Sequence, residues 1–312
     1  MHWYEPFRSE IEQVFQEAED IIESFPAPLN AAGLRYIEKF NPSNDQSTNN
    51  YICYCLPYWM QDMTGLSTTH CRRLALAGIF VMLYYFIQDD VMDNDCDNPT
   101  EQLALGNLCY IELLDIYRQL FPPQSPFWDS FRQYTLEWVH GVTSEREQDV
   151  FMADRLKIAH KAAPVKLASS GALYLTDMEG KLQQVTETVD TVLICLQMND
   201  DWADWQTDLQ DGSYNCLLAW IRYIKQIQTN EPLTEQFVRH AITVSDVLHS
   251  FGEEALQLQA KLDAMPEAAP HLIEFSRSLV ESLFEESDRI RQHREALMMG
   301  GLSYWLSNSV TK

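Results

Sequence analysis

The sequence predicts a single all-α domain spanning residues 1–312. Three observations carry this. Apolar residues recur at helical spacing along nearly the whole chain, and no segment sustains the period of two that a half-buried strand needs. Only 11 Gly and 13 Pro occur, which argues against the many tight turns of a β fold. Neither a repeat of roughly 20–50 residues nor a long linker divides the chain, whose 46% hydrophobic content can fill one sizeable core.

Residues 7–24 place Phe7, Ile11, Val14, Phe15, Ala18 and Ile22 on one face with carboxylates between, an amphipathic helix that Pro26 and Pro28 end. The polar run from Asn41 to Asn50 is a loop, followed by the short aromatic stretch from Tyr51 to Met63. Residues 67–92 are apolar almost all round, so this helix is central. The next loop, Asn94 to Pro99, carries alternating acids but fails the calcium EF-hand pattern. Asn98 and Ala104 stand where that pattern needs Gly and Glu. Helices are expected at 101–120, 126–150 and 152–162, after which Pro164 and Gly171 interrupt the pattern. A helix from about 183 to 207 is stopped by Asp211-Gly212-Ser213. Three more follow at 215–229, 232–262 and 269–297, with breaks at Pro232, Pro266 and Pro270, giving ten or more in all.

Charge and cysteine usage narrow the function. A formal net charge of −24 disfavours nucleic acid and anionic membrane surfaces, which both need clustered Lys and Arg. No apolar run reaches the roughly 18–20 residues of a membrane span, and Met1-His2-Trp3-Tyr4-Glu5-Pro6 lacks the basic start and apolar core of a signal peptide. Seven Cys without a CxxC pair give neither a disulfide framework nor a zinc pattern. A cytoplasmic protein with reduced thiols is expected.

The chemistry sits in two acidic stretches. In Leu83-Tyr84-Tyr85-Phe86-Ile87-Gln88-Asp89-Asp90-Val91-Met92-Asp93 an apolar run ends in carboxylates, and Asp89 and Asp93 share one helix face with Tyr85 and Met82 behind them. Like charges at that spacing cost an isolated helix roughly 0.2–0.5 kcal/mol, so the helix gains from whatever binds the oxygens. Mg²⁺ does so through one or two carboxylates, water and substrate phosphates. A second stretch, Met198 to Asp208, repeats the design with Asp200, Asp204 and Asp208 every four positions behind the apolar run Val192 to Leu196. Two such helices facing one cavity, with Met82, Tyr85, Phe86, Leu193, Leu196 and Gln197 lining its wall, would suit a diphosphate with a hydrocarbon tail. Asp90 and Asp201 point elsewhere on their helices and are secondary candidates as metal ligands.

Asp89-Asp90-Val91-Met92-Asp93, with Asn94-Asp95 after it, resembles the aspartate-rich motif of class I isoprenoid synthases. Asp200, Asp204 and Asp208, followed by Gly212 and Asn215, fall at the spacing of the second metal motif of class I terpene synthases, although that pattern has Asn, Ser or Thr, and Glu where this chain has three Asp. Read as Asp200-Asp201-Trp202-Ala203-Asp204, the same stretch resembles a second prenyltransferase motif. The two motifs begin 111 residues apart (200 − 89), as in the family. The resemblance implies a helical bundle around a central apolar cavity, and two or three Mg²⁺ ions held by Asp89, Asp90, Asp93, Asp200, Asp204 and Asp208. It also implies cations for the diphosphate: Arg155, lying 45 residues before Asp200 (200 − 155), with Lys161, and near the C-terminus Arg289 with Tyr304. A homodimer is compatible with it.

The expected activity is a terpene synthase that ionises a linear C15 or C20 prenyl diphosphate, with a lean to geranylgeranyl diphosphate, and cyclises or rearranges the carbocation. The rival is a chain-elongating trans-prenyltransferase. Elongation needs a basic site for isopentenyl diphosphate, yet residues 41–70 and 94–117 hold no Lys or Arg, and Arg72 and Arg73 do not match the family's positions. A catalytically silent helical partner protein is the third reading.

Overall fold

The computed structural model describes residues 1–44, 47–48, 50–93, 96–144, 150–228, 231–265 and 269–309, the side chains of 144 and 299–309 excepted. The all-α expectation holds. Helices α1 (Arg8–Glu23), α2 (Leu29–Glu38), α3 (Ile52–Trp59), α4 (Gln61–Thr64), α5 (Thr68–Met92), α6 (Pro99–Leu120), α7 (Phe127–Ser144), α8 (Val150–Ala153), α9 (Leu156–His160) and α10 (Lys166–Tyr174) are followed by α11 (Leu182–Asp211), α12 (Cys216–Lys225), α13 (Glu235–Val244), α14 (Val247–Asp263) and α15 (Pro270–Ser309). The chain forms two compact units. One comprises Met1–Val139, Ala162–Val189 and Glu267–Glu274, the other His140–Lys161, Asp190–Pro266 and Phe275–Lys312.

The first unit is built on α5. Ser67 caps its start, accepting a hydrogen bond from the His70 N–H at 3.2 Å, and thirteen of its residues, among them Leu74, Ile79, Phe80 and Leu83, are buried. By length and composition this helix could cross a membrane, with a mean hydropathy of 1.5 over 18 residues, which corrects the expectation that no run is long enough. Yet 67% of that window is buried inside the protein, as in a core helix. Gly78 lets α3 lie against it, since a Cβ there would stand 2.2 Å from the Cys53 carbonyl oxygen. The predicted stripe is buried along α1 at Ile11, Val14, Phe15, Ala18 and Ile22, while Phe7 precedes the helix and is half-buried. Each such side chain contributes roughly 1.5–3 kcal/mol when fully buried. The ion pairs Arg72–Glu10 at 2.8 Å and Arg73–Glu17 at 3.0 Å also join α1 to α5. Being partly exposed, they are worth about 0–1 kcal/mol each, and orient the helix more than they hold it.

Helix α2 falls outside the sequence expectations. It is short, carries Gly33 at mid-length and buries only Gly33, Tyr36 and Ile37, too few positions to show a period. In the second unit the helix expected over 232–262 is two, α13 and α14. Asp246 takes a left-handed φ of 51° between them, and Arg294 donates to the carbonyls of Thr243 and Val244 and to Asp246 Oδ1. That cap comes from a residue 48 positions away, so no local Gly or Pro announces it. The helix expected over 152–162 is likewise split into α8 and α9.

Candidate functional site

In the first unit, α5 carries Asp89 and Asp90, both half-buried, and Asp93 stands exposed as its C-cap. Asp90 Oδ2 accepts a hydrogen bond of 2.8 Å from the Tyr36 hydroxyl. Burial, then this bond and the charges of Asp90 and Asp89, hold the phenol well above its ordinary range, so it stays a donor. Behind the acids, Met82 is buried and Phe86 packs on Phe40 with ring centroids 5.2 Å apart. Tyr85 is 7% exposed, meets Tyr84 and Trp138 edge-on at 4.9 Å each, and has its hydroxyl 3.4 Å from Thr135 Oγ1. Tyr85 and Phe86 thus belong to a packed aromatic cluster behind the motif. Asn94 and Asp95 lie outside the described residues.

In the second unit, α11 carries the repeated acids. Asp201 is buried at 4% exposure, where it accepts from the Cys216 N–H at 2.5 Å and from Gln197 Nε2 at 2.7 Å. Its Oδ2 thus seats the start of α12, and its Oδ1 is taken by Gln197 one turn back on α11. Asn215 completes the joint, capping α12 through Leu218 N–H at 3.0 Å while its amide donates to the Asp201 carbonyl at 2.8 Å and to Asp208 Oδ2 at 2.7 Å. Gly212, with a φ of 72°, supplies the left-handed turn that brings Asn215 back to α11.

Asp200 and Asp204 remain open to solvent, and Asp208 is half-buried. Crowding by protein, then the charges of Asp201 and Asp204, push the Asp200 carboxyl up to about 7, although its solvent access tempers the shift. Burial pushes Asp208 to about 6 against the opposing pull of Asn215 and Lys161. In this range the folded chain binds more protons than the unfolded one, so these groups stabilise the metal-free protein at low pH and lose that contribution as pH rises from about 4 to about 7. Metal-free melting temperatures should therefore fall less between pH 5.5 and 8 in Asp200→Asn than in the unsubstituted protein. Equal slopes would remove Asp200 from this role.

Beside Asp201 lies a small cleft lined by Lys157, Ile158, Lys161, Gln197 and Tyr214 among others. Lys157 and Lys161, four residues apart along α9 and its C-cap, both line it. Arg155 is engaged elsewhere. Its guanidinium pairs with Glu254 at 2.5 Å and lies 4.7 Å from the Phe151 ring centroid. Arg289 is exposed and pairs with Glu286, Leu196 is half-buried on α11, and the side chain of Tyr304 lies outside the described residues. Of the predicted cations Lys161 lines the cleft, as does Lys157, which belongs with it to the basic run that follows Arg155 in the sequence.

Among the described residues no group of three or more His, Cys, Asp or Glu side chains is placed to hold a metal ion. The carboxylates of the two motifs are hard oxygen donors, a chemistry that fits Mg²⁺ held by one or two carboxylates and completed by water and phosphate.

Two solved structures share this fold. A decaprenyl diphosphate synthase from Rhodobacter capsulatus superposes with a TM-score of 0.70 at 12% identity, covering 90% of this chain and 98% of that one. A geranylgeranyl pyrophosphate synthetase from the archaeon Geoglobus acetivorans gives 0.69 at 14% identity, covering 88% and 99%. No family model matches the chain, and no curated protein matches it significantly. At these identities the likeness establishes an all-α fold of the isoprenoid-synthase type.

Proposed function

We propose that the protein is a Mg²⁺-dependent enzyme that ionises an allylic prenyl diphosphate. The observation that carries this reading is the row of Asp200, Asp204 and Asp208 on α11, whose neighbour Asp201 lines a cleft together with Lys157 and Lys161. Support comes also from Asp89 and Asp93, at the end of an apolar helix, and from a fold shared with two prenyl diphosphate synthases. Mg²⁺, when bound, supplies Lewis-acid stabilisation of the departing diphosphate. The chain's own residues do the rest. Asp89, Asp93, Asp200, Asp204 and Asp208 supply oxygens, with Asn215 orienting Asp208. The two lysines offset locally the repulsion that a net charge of −24 exerts on a diphosphate. Aromatic faces at Tyr85 and Phe86 stabilise a carbocation by about 2 kcal/mol or more where water is excluded.

Two fates of the cation have specific support. Elongation by isopentenyl diphosphate is favoured by both structural relatives and by the prenyltransferase-like form of Asp200-Asp201-Trp202-Ala203-Asp204. Cyclisation or elimination is favoured by the cation inventory, since residues 41–70 and 94–117 lack Lys and Arg and the nearby Arg72 and Arg73 are paired to Glu10 and Glu17. Incubation with C10, C15, C20 or C25 allylic diphosphates and Mg²⁺, with and without isopentenyl diphosphate, distinguishes them. A longer prenyl diphosphate establishes elongation, and an extractable hydrocarbon or alcohol formed from the allylic substrate alone establishes the one-substrate reaction. Neither product from any chain length would overturn the proposal.

A further inference from the structure

Helix α2, invisible in the sequence pattern, and the turn that follows it meet the end of α5 at two places. Tyr36 and Phe40 are four residues apart, as are Phe86 and Asp90. The Tyr36 hydroxyl donates to Asp90 Oδ2 at 2.8 Å, and the Phe40 ring packs on Phe86 at 5.2 Å. The Tyr36 and Phe40 rings brace each other at 5.4 Å, and Lys39 Nζ lies 4.8 Å from the Tyr36 ring centroid. Gly33 fixes how close this helix can come, because a Cβ there would stand 2.6 Å from Ile22 Cγ2 on α1 and 3.1 Å from Leu105 Cδ1 on α6. The Tyr36 side chain is consequently buried, at 5% exposure, with its hydroxyl on the middle acid of the first motif.

We infer that Tyr36 is a positioning residue for the first carboxylate motif: by holding Asp90 it fixes the rotation of the last turn of α5, so that Asp89 and Asp93 serve as the metal-facing pair and Asp90 does not. Successive residues on a helix point about 100° apart, so an anchor on Asp90 sets the directions of Asp89 and Asp93 without touching either. This rests on the function proposed above. Asp90 moves from the metal set that the sequence resemblance implied to the support of that set.

The test is a melting experiment, which needs no turnover. With inorganic pyrophosphate fixed, Mg²⁺ is titrated and the midpoint of the rise in melting temperature is read. Tyr36→Phe removes one oxygen and keeps the ring, and is expected to raise the Mg²⁺ midpoint about tenfold, the lower end of the effect of groups that orient metal ligands. In an Asp90→Ala background the same substitution should add nothing. Asp90→Asn, which retains an acceptor for the phenol, should shift the midpoint less than Asp90→Ala, and this comparison carries the test if Tyr36→Phe does not fold. A midpoint unmoved in Tyr36→Phe, an equal shift with and without Asp90, or Asp90→Asn as damaging as Asp90→Ala would overturn the inference while leaving the proposed function standing. An unsubstituted protein that shows no Mg²⁺-dependent rise would overturn both.

Discussion

Asp89→Ala and Asp208→Ala are each expected to lower the rate of diphosphate release at least about 10²-fold, the scale of losing one preorganised electrostatic stabiliser, while the protein stays folded. Asp89 is half-buried near the end of α5, so its truncation opens no core cavity. Asp208 gives up one hydrogen bond, but Asn215 keeps its cap on Leu218 and its bond to the Asp201 carbonyl, and the joint between α11 and α12 survives. Asp201→Ala is the contrasting control. Its carboxylate satisfies the Cys216 N–H and Gln197 from a buried position, and leaving a buried donor unmade costs about 1–3 kcal/mol. Asp201→Ala should therefore lower melting temperature, whereas Asp208→Ala should lower turnover. Measuring both quantities for the three variants separates the roles, and an Asp208→Ala protein of normal turnover would remove α11 from the active site.

Tyr85→Ala carries the largest expected cost in stability, roughly 3–5 kcal/mol, as for other buried aromatics. The ring is held by Tyr84, Trp138 and the Thr135 hydroxyl, and α7 cannot close over the missing volume without shifting Trp138. If Tyr85 also faces substrate, the product distribution should change more than the rate of ionisation, because the wall acts after the diphosphate has left. A large drop in melting temperature with an unchanged product profile would make Tyr85 core alone.

Much of this was legible in the sequence where burial is periodic. The stripe of α1, the all-round hydrophobicity of α5 and the four-residue spacing of Asp200, Asp204 and Asp208 each follow from helix geometry, and each is seen in the fold. What could not be read depends on partners distant in sequence. Asp201 and Asp200 are adjacent and chemically identical, yet one is consumed by the N-terminus of α12 and the other faces solvent. Arg155 falls at the family's spacing, but Glu254, 99 residues on, takes its guanidinium. Tyr36 belongs to a helix too short to show a period, and only tertiary packing brings it to Asp90, 54 residues away.

The central claim is that the carboxylates serve a metal-assisted departure of diphosphate. Release of inorganic diphosphate from C10, C15, C20 and C25 allylic diphosphates tests it most directly, measured with Mg²⁺ and again in excess chelator. The account predicts release from at least one chain length with Mg²⁺, abolished by chelator and restored when Mg²⁺ is returned. Release that continues undiminished in chelator, or none from any of the four substrates with Mg²⁺ present, would contradict it.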